Sequence, residues 1–392
     1  MFVTLFSCKE DNVIEPISEF SDIYNLPNTP YNYSNVIFPE TFTTQTVINI
    51  DNTPANNPTT DNGATLGRVI FYDKNLSFNR TVSCSSCHIQ ELGFADATAK
   101  SLGFEGGHTR RNSMHLVNAR FYEPNKFFWD HRTNSLEEQV LMPFQDGLEM
   151  GMTLALLVER VSVPYYKPLF QKAFGNEEIT SDKISKALAQ FIRSIVSFNT
   201  KYDIGIQTTN NIFEDFPNFT AQENMGKAIF NGKLTPEVNG TCAFCHIFNN
   251  ENLHFSTTPS SVANQVIFSS ERMDNIGLDE NSHGGVDNGL GEITEIEADN
   301  GLFKAPSLRN IALTAPYMHD GRFETLEEVV EHYSTGVKNH PQLSDHLING
   351  EDGTARHLNL TTEESAALVA FLKTLTDEVM INDEKYTDPF VN

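Results

Sequence analysis

Four of the five cysteines stand in two close pairs, each followed at once by a histidine: Cys84-Ser-Ser-Cys87-His88 and Cys242-Ala-Phe-Cys245-His246. A Cys-x-x-Cys-His run suits covalent attachment of a c-type haem. The two thiols add across the vinyl groups of the ring, and the adjoining imidazole is placed to ligate iron from one face. A zinc site wants four ligands in a closed tetrahedral array, and a redox dithiol wants a βαβ context that the flanking residues do not supply. With five cysteines and 12 histidines in 392 residues, one chance copy is roughly a 1 in 500 event per chain, and two are far rarer. The expected cofactors are two covalently bound c-type haems, with His88 and His246 as proximal ligands.

What such haems can do depends on each iron's sixth position. Two protein ligands leave only electron transfer, whereas an open position beside an acid/base group can cleave an O–O bond.

The elements that must position the motifs form an internal repeat. Ala64-Thr-Leu-Gly-Arg-Val-Ile-Phe71 precedes the first motif and Glu223-Asn-Met-Gly-Lys-Ala-Ile-Phe230 the second, with Gly67 and Gly226 in register. Each copy predicts a short helix, a loop and a Cys-x-x-Cys-His. Thr220-Ala-Gln-Glu223 supplies a capping box for the second helix, and amphipathic helices are expected at about 182–198 and 363–375. Alternating β-branched runs are scarce, so the expected fold is mainly α: two cytochrome c-like haem domains with long loops. The length favours two core-forming units, taken as 61–205 and 206–376, with 377–392 a C-terminal tail.

Residues 9 to about 60 are rich in Pro, Asn, Thr and Asp and read as a tether and wrapping arm. Ahead of it, Met-Phe-Val-Thr-Leu-Phe-Ser-Cys reads as the apolar end of an export signal without its basic n-region. Leu5-Phe6-Ser7-Cys8 resembles a bacterial lipobox, which makes Cys8 the expected lipid-bearing residue; the alternative is an ordinary apolar terminus with a stray thiol. The Lys9-Glu10-Asp11 that follows resembles a surface-export tag. The expected location is the periplasm, or an outer-membrane-anchored, surface-exposed lipoprotein of a Gram-negative bacterium, with the anchor as its one membrane contact.

Asp plus Glu outnumber Lys plus Arg by 52 to 27, a formal charge of −25 that argues against nucleic acid and for basic protein partners. No apolar stretch of the sequence is long enough to span a bilayer.

Over about 61–376 the chain resembles the bacterial dihaem cytochrome c peroxidases, among them the dihaem enzyme of methylamine utilisation that oxidises tryptophans of a partner protein. After the first motif the matching residues are Gly93-Phe-Ala-Asp96, Arg111-Asn112-Ser113, Leu116-Val-Asn118, Phe127-Phe-Trp-Asp130, Ser135-Leu-Glu-Glu-Gln139, Pro143 and Glu149-Met-Gly151. After the second they are Asn275-Ile-Gly-Leu-Asp279, Leu302-Phe-Lys-Ala-Pro-Ser-Leu-Arg-Asn310, Thr314-Ala-Pro-Tyr-Met-His-Asp-Gly321 and Thr325-Leu-Glu-Glu328.

The resemblance implies that the N-terminal haem is peroxidatic and that the C-terminal haem relays electrons to it from a donor. It places Trp129, the sole tryptophan, between the haems, and Gln139, Glu149 and Pro143 in the distal pocket. Heterolysis of peroxide needs a proton moved from the inner to the outer oxygen; a carboxylate can shuttle it while an amide orients the oxidant. The bland alternatives are a core tryptophan, and a Glu149 that pairs with Arg132 or caps a helix. Family peroxidases often carry a movable distal histidine. His108, in Gly103-Phe-Glu-Gly-Gly-His108, is the candidate, against a solvated loop histidine; His115 and His131 are weaker candidates, and His319 reads as structural.

At the C-terminal haem, standard family members carry Met where Val329-Val-Glu-His-Tyr333 has Tyr, as the methylamine-utilisation enzyme does. Tyr333 is thus the expected sixth ligand and Met318 the competitor; a tyrosinate lowers the potential, whereas a thioether raises it. The resemblance also implies calcium between the haem domains, held by the Asn112 side chain and the carbonyls of Thr314 and Pro316, unless these form only a polar turn. Three functions remain: reduction of hydrogen peroxide with electrons from a small cytochrome c or cupredoxin, oxidation of a partner protein, and a haem relay without turnover. Gln139, Glu149 and Trp129 disfavour the third, and Tyr333 favours the second over the first. Homodimers are common in the family.

Overall fold

The computed structural model describes residues 20–122, 125–209, 212–232, 242–247, 266–282 and 285–391. Cys8 and its lipobox therefore lie outside the described residues.

The chain is mainly α-helical. The helices that matter here are α1 (Asp61–Tyr72), α2 (Lys167–Phe174), α3 (Ser181–Ser194), α4 (Ala221–Phe230), α5 (Leu326–Glu331) and α6 (Thr362–Lys373). The sheet among the described residues is one antiparallel pair, β1 (Met273–Asp274) with β2 (Phe303–Lys304), in which Met273 faces Lys304. Side-chain oxygens start these helices, except α2, which opens with Pro168 in its first turn. Thr60 accepts from the Gly63 N–H, and Thr220 and Thr361 form capping boxes with Glu223 and Glu364, satisfying amides that the first turn leaves unpaired.

The two copies of the repeat make the same packing unit. α1 crosses α3 where a Cβ on Gly67 would stand 2.0 Å from the Ala187 carbonyl oxygen, and α4 crosses α6 where one on Gly226 would stand 1.9 Å from that of Ala367. Helix interiors disfavour glycine by about 1 kcal/mol relative to alanine, a cost that close helix contact offsets here. Around the first crossing Leu66, Val69, Ile70, Phe71, Leu188 and Phe191 are buried; around the second, Ile229, Phe230, Leu368 and Phe371.

These cores borrow from the chain's ends. Tyr24 and Tyr33 of the arm join the first core, and Phe42, Val47 and Ile50 the second. The segment after 376 turns back onto the first core, burying Met380 and Tyr386. Two buried arginines are each held by a bidentate carboxylate, Arg193 by Glu137 at 2.6 and 2.9 Å and Arg309 by Asp203 at 2.7 Å twice. After each motif the chain turns at a left-handed asparagine, Asn118 (φ 59°) and Asn310 (φ 60°). Their backbone amides bond to the ends of the packing helices, Asn118 N–H to the Ile195 carbonyl at 3.0 Å and Asn310 N–H to that of Leu375 at 2.9 Å. Each motif is thus pinned to its own helix pair.

Candidate active site

The first motif begins as a 3-10 turn over Cys84–Ser86, and the second is a helical turn over Cys242–His246. All four thiols are free. Burial pushes the Cys84 thiol up to about 12 and both Cys87 and Cys242 to about 11, so they are neutral. Each histidine is fixed by a carbonyl: His88 Nδ1 lies 2.9 Å from Phe94 O, and His246 Nδ1 lies 3.1 Å from Pro306 O. Those bonds place the ring proton on Nδ1 and leave the Nε2 lone pair for a metal. Burial lowers both imidazole pKa values, to about 4 for His246, keeping the ligating form neutral. Paired free thiols beside a tautomer-locked imidazole fit covalent haem at both places.

Beside the first motif lies a cavity of about 580 Å³, within the range of small-ligand and cofactor sites. Cys84, Cys87 and His88 line it together with Trp129, Gln139, Pro143 and Glu149. Gln139 ends a helical turn, Leu136–Gln139, capped by Ser135, and Pro143 opens the next turn, Met142–Gln145. Glu149 follows in a reverse turn closed by Gly151 N–H to Asp146 O at 2.9 Å. The loop carrying Gly103 presses on that turn: a Cβ there would stand 1.6 Å from the Leu148 carbonyl oxygen, so only glycine fits.

Burial is the main force on the Glu149 carboxyl and raises it from 4.5 to about 7; Asp146 adds to the shift and Arg132 opposes it. Arg132 itself is paired with Asp130 at 2.9 Å. Trp129 is fixed at both ends, its Nε1 donating to Asn112 O at 2.9 Å and its carbonyl accepting from Lys304 N–H at 2.9 Å.

Of the candidate distal histidines, the one that lines this cavity is His115. It lines the wall, donates Nε2–H to Ser307 O at 2.8 Å and leaves Nδ1 buried without a partner. His108 is exposed and absent from the cavity lining. A bridge between Leu102 and His108 closes the glycine-rich loop and puts His108 Nδ1 3.0 Å from Lys100 O. His131 accepts from the Tyr122 hydroxyl at 2.6 Å, and His319 stacks on Phe303 with ring centres 3.8 Å apart.

At the second motif, Tyr333 sits in a π-helical stretch, His332–Gly336, that continues α5. Burial raises its phenol well above the usual value; the next contributors are Cys245, Cys242 and then Asp274, so the phenol lies within electrostatic reach of the second thiol pair. Met318 occupies a left-handed turn (φ 75°) closed by Gly321 N–H to Met318 O at 3.2 Å. Asn112 is drawn against the same 314–321 turn, its N–H donating to His319 O at 2.8 Å and its Nδ2 lying 3.3 Å from both Thr98 O and Ala99 O. Thr314 is buried in that turn ahead of Pro316.

A family model described as di-haem cytochrome c peroxidase matches residues 61–211. The chain is 34% identical over 332 residues to the methylamine utilization protein MauG of Methylorubrum extorquens, covering 83% of this chain and 81% of the relative. It is 31% identical over 316 residues to the cytochrome c551 peroxidase of Nitrosomonas europaea, covering 80% of each. Among solved structures, a MauG-like protein associated with microbial copper homeostasis superimposes with a TM-score of 0.68 at 34% identity, over 86% of this chain and 95% of that one. With two haem-attachment motifs on a repeated helical frame, the chain belongs to the di-haem cytochrome c peroxidase family, oxidoreductases that carry two c-type haems and include both peroxidases and MauG proteins.

Proposed function

We propose that the protein reduces hydrogen peroxide to water with electrons from a small cytochrome c or cupredoxin, received at the second haem site and passed by way of Trp129 to the first. The observation that carries this reading is Glu149, a half-buried carboxyl that desolvation raises to about 7, lining the same cavity as Gln139 and the Cys84–His88 motif. Haem bound at that motif supplies the redox chemistry for breaking the O–O bond. Glu149 takes the proton from the inner peroxide oxygen and returns it to the outer one, which leaves as water; two electrons and two further protons complete two waters. A pKa close to neutral suits a group that must both accept and release a proton. The Gln139 amide orients the peroxide, and Pro143 closes the wall beside it. The net charge of −25 favours a basic donor.

A second reading has its own support. Tyr333 within electrostatic reach of the second thiol pair suits a hard anionic sixth ligand that stabilises oxidised iron, which favours oxidation of a partner protein over donor-driven turnover. In either case Asn112, Thr314 and Pro316 are proposed to hold calcium, and 61–205 and 206–376 to be the haem domains. Among the described residues no helix is long and apolar enough to cross a membrane, and a periplasmic location with a lipid at Cys8 is part of the proposal. The test is steady-state peroxide turnover by the two-haem protein with a reduced small cytochrome. Donor oxidation that scales with enzyme supports the peroxidase; none above a haem-free control overturns it.

A further inference from the structure

Among the described residues, the buried cations other than Lys304 have oxygen partners, though Arg68 has only the Thr387 carbonyl at its Nε and an unpartnered Nη1. Arg111 is held by Asp130 and Asp287, Arg193 by Glu137, Arg309 by Asp203, and Lys227 by the carbonyls of Ile212 and Glu214. Lys304 differs. It is 9% exposed, its Nζ stands 3.4 Å over the Tyr122 ring, and among the described residues no carboxylate or carbonyl receives it. The nearby carboxylates are taken, Asp130 by Arg111 and Arg132, and Asp274 by Arg272. A buried ammonium without an anion is costly, and burial accordingly lowers its pKa to about 7. Its backbone is not free to withdraw, because β2 pairs with β1 and the Lys304 N–H is bonded to the Trp129 carbonyl.

Lys304 lines the cavity of the first motif, and so does His115, whose Nδ1 is buried without a partner. The two are close enough for the ammonium to help hold the imidazole neutral. A cation lacking an anion and a ring nitrogen lacking a partner, both lining one cavity, are complementary to a carboxyl group. One carboxyl oxygen accepts from the ammonium; the other takes a proton from solvent and donates it to His115 Nδ1, which the Nε2–H bond to Ser307 O leaves as an acceptor.

We infer that Lys304, with His115, binds a propionate carboxylate of the haem attached at Cys84 and Cys87, and so sets that haem's orientation and potential. This rests on the proposal that a haem fills the cavity. Lys304 is a positioning residue, and its bond to the Trp129 carbonyl ties that carboxylate to the proposed relay.

The test is spectroelectrochemical titration of the two-haem protein and of Lys304→Gln, Lys304→Met and Lys304→Arg. Loss of a nearby positive charge favours the ferric state. Both neutral variants are therefore expected to shift the first haem's reduced-to-oxidised ratio about tenfold toward ferric, about 59 mV lower for one electron, with the second haem unmoved and the Arg variant close to wild type. Loss of the first haem in both neutral variants but not in Lys304→Arg is the same result in stronger form. Unchanged potentials in both neutral variants, a shift confined to the second haem, or haem loss in all three variants overturns the inference. A wild-type protein that matures without haem at Cys84 and Cys87 refutes instead the filled cavity on which it rests.

Discussion

The indole Nε1 of Trp129 donates to the backbone carbonyl of Asn112 at 2.9 Å, joining the proposed relay to the residue proposed to bear calcium. That carbonyl belongs to a segment held in turn by the Asn112 N–H to His319 O bond, so the ring's position depends on both halves of the chain. Trp129→Phe keeps an aromatic in place and deletes the donor. Donor-driven peroxide turnover is expected to fall while both haems stay attached and stability drops by about 1–2 kcal/mol, from one lost hydrogen bond and a smaller ring. Stopped-flow donor oxidation beside thermal unfolding checks this; unchanged turnover removes Trp129 from the path.

Calcium removal should act through the same bond. If the Asn112 side chain binds the ion, a chelator lowers turnover and added calcium restores it, whereas Asn112→Ala lowers it without restoration. Retained turnover in the chelated protein, verified metal-free by elemental analysis, is the opposing result.

Glu149 offers a kinetic and a thermodynamic test. Glu149→Gln is expected to cut peroxide turnover by about 10² or more, the usual contribution of a positioned acid/base group, with both haem spectra preserved. The native state holds the Glu149 proton more tightly than the unfolded chain does, about 7 against 4.5. Folding stability therefore falls as pH rises through that window. Glu149→Gln lacks that loss, so its Tm should drop less than wild type's between about pH 5 and about pH 8. Equal drops in the two proteins argue that the carboxyl is not buried.

The motifs, the repeat and the helix caps are legible in the sequence because they are local. Thr220 and Glu223 need only a three-residue spacing, and the thiols and imidazole of each motif are neighbours along the chain. Gly67 and Gly226 mark the repeat, yet their role as crossing points depends on Ala187 and Ala367, more than a hundred residues away in the chain. The same limit explains the histidines. His108 sits in a glycine-rich loop and invites a mobile role, but a short bridge within the loop leaves it exposed. His115 faces the cavity because Ser307, 192 residues later, receives its Nε2–H. Lys304 stands inside a run that resembles the family, and its lack of an anion shows only once Asp130 and Asp274 are seen to be occupied.

Haem content separates the two motifs. Protein matured in a host that assembles c-type cytochromes should carry two covalent haems by mass spectrometry, and Cys84→Ala with Cys87→Ala should lose one and keep the other. The separate cores around α1/α3 and α4/α6 let the second site survive loss of the first. A double variant that loses both haems contradicts independent attachment.

Tyr333 decides between the two functional readings. Its half-buried phenol lies within electrostatic reach of Cys245 and Cys242, whereas Met318 is held in a left-handed turn by its own backbone. An anionic oxygen favours ferric iron more than a neutral thioether does, so Tyr333→Met should raise the potential of the haem at Cys242 and Cys245 and leave the other nearly unchanged. Met318→Leu should move neither. If partner oxidation is the activity, peroxide-treated wild type should retain two oxidising equivalents long enough to deliver them to an added protein, and Tyr333→Met should lose that capacity while gaining donor-driven turnover. Should Met318→Leu instead open the second haem to exogenous ligands while Tyr333→Met changes nothing, the sixth ligand is Met318. The protein then stands with the methionine-ligated peroxidases.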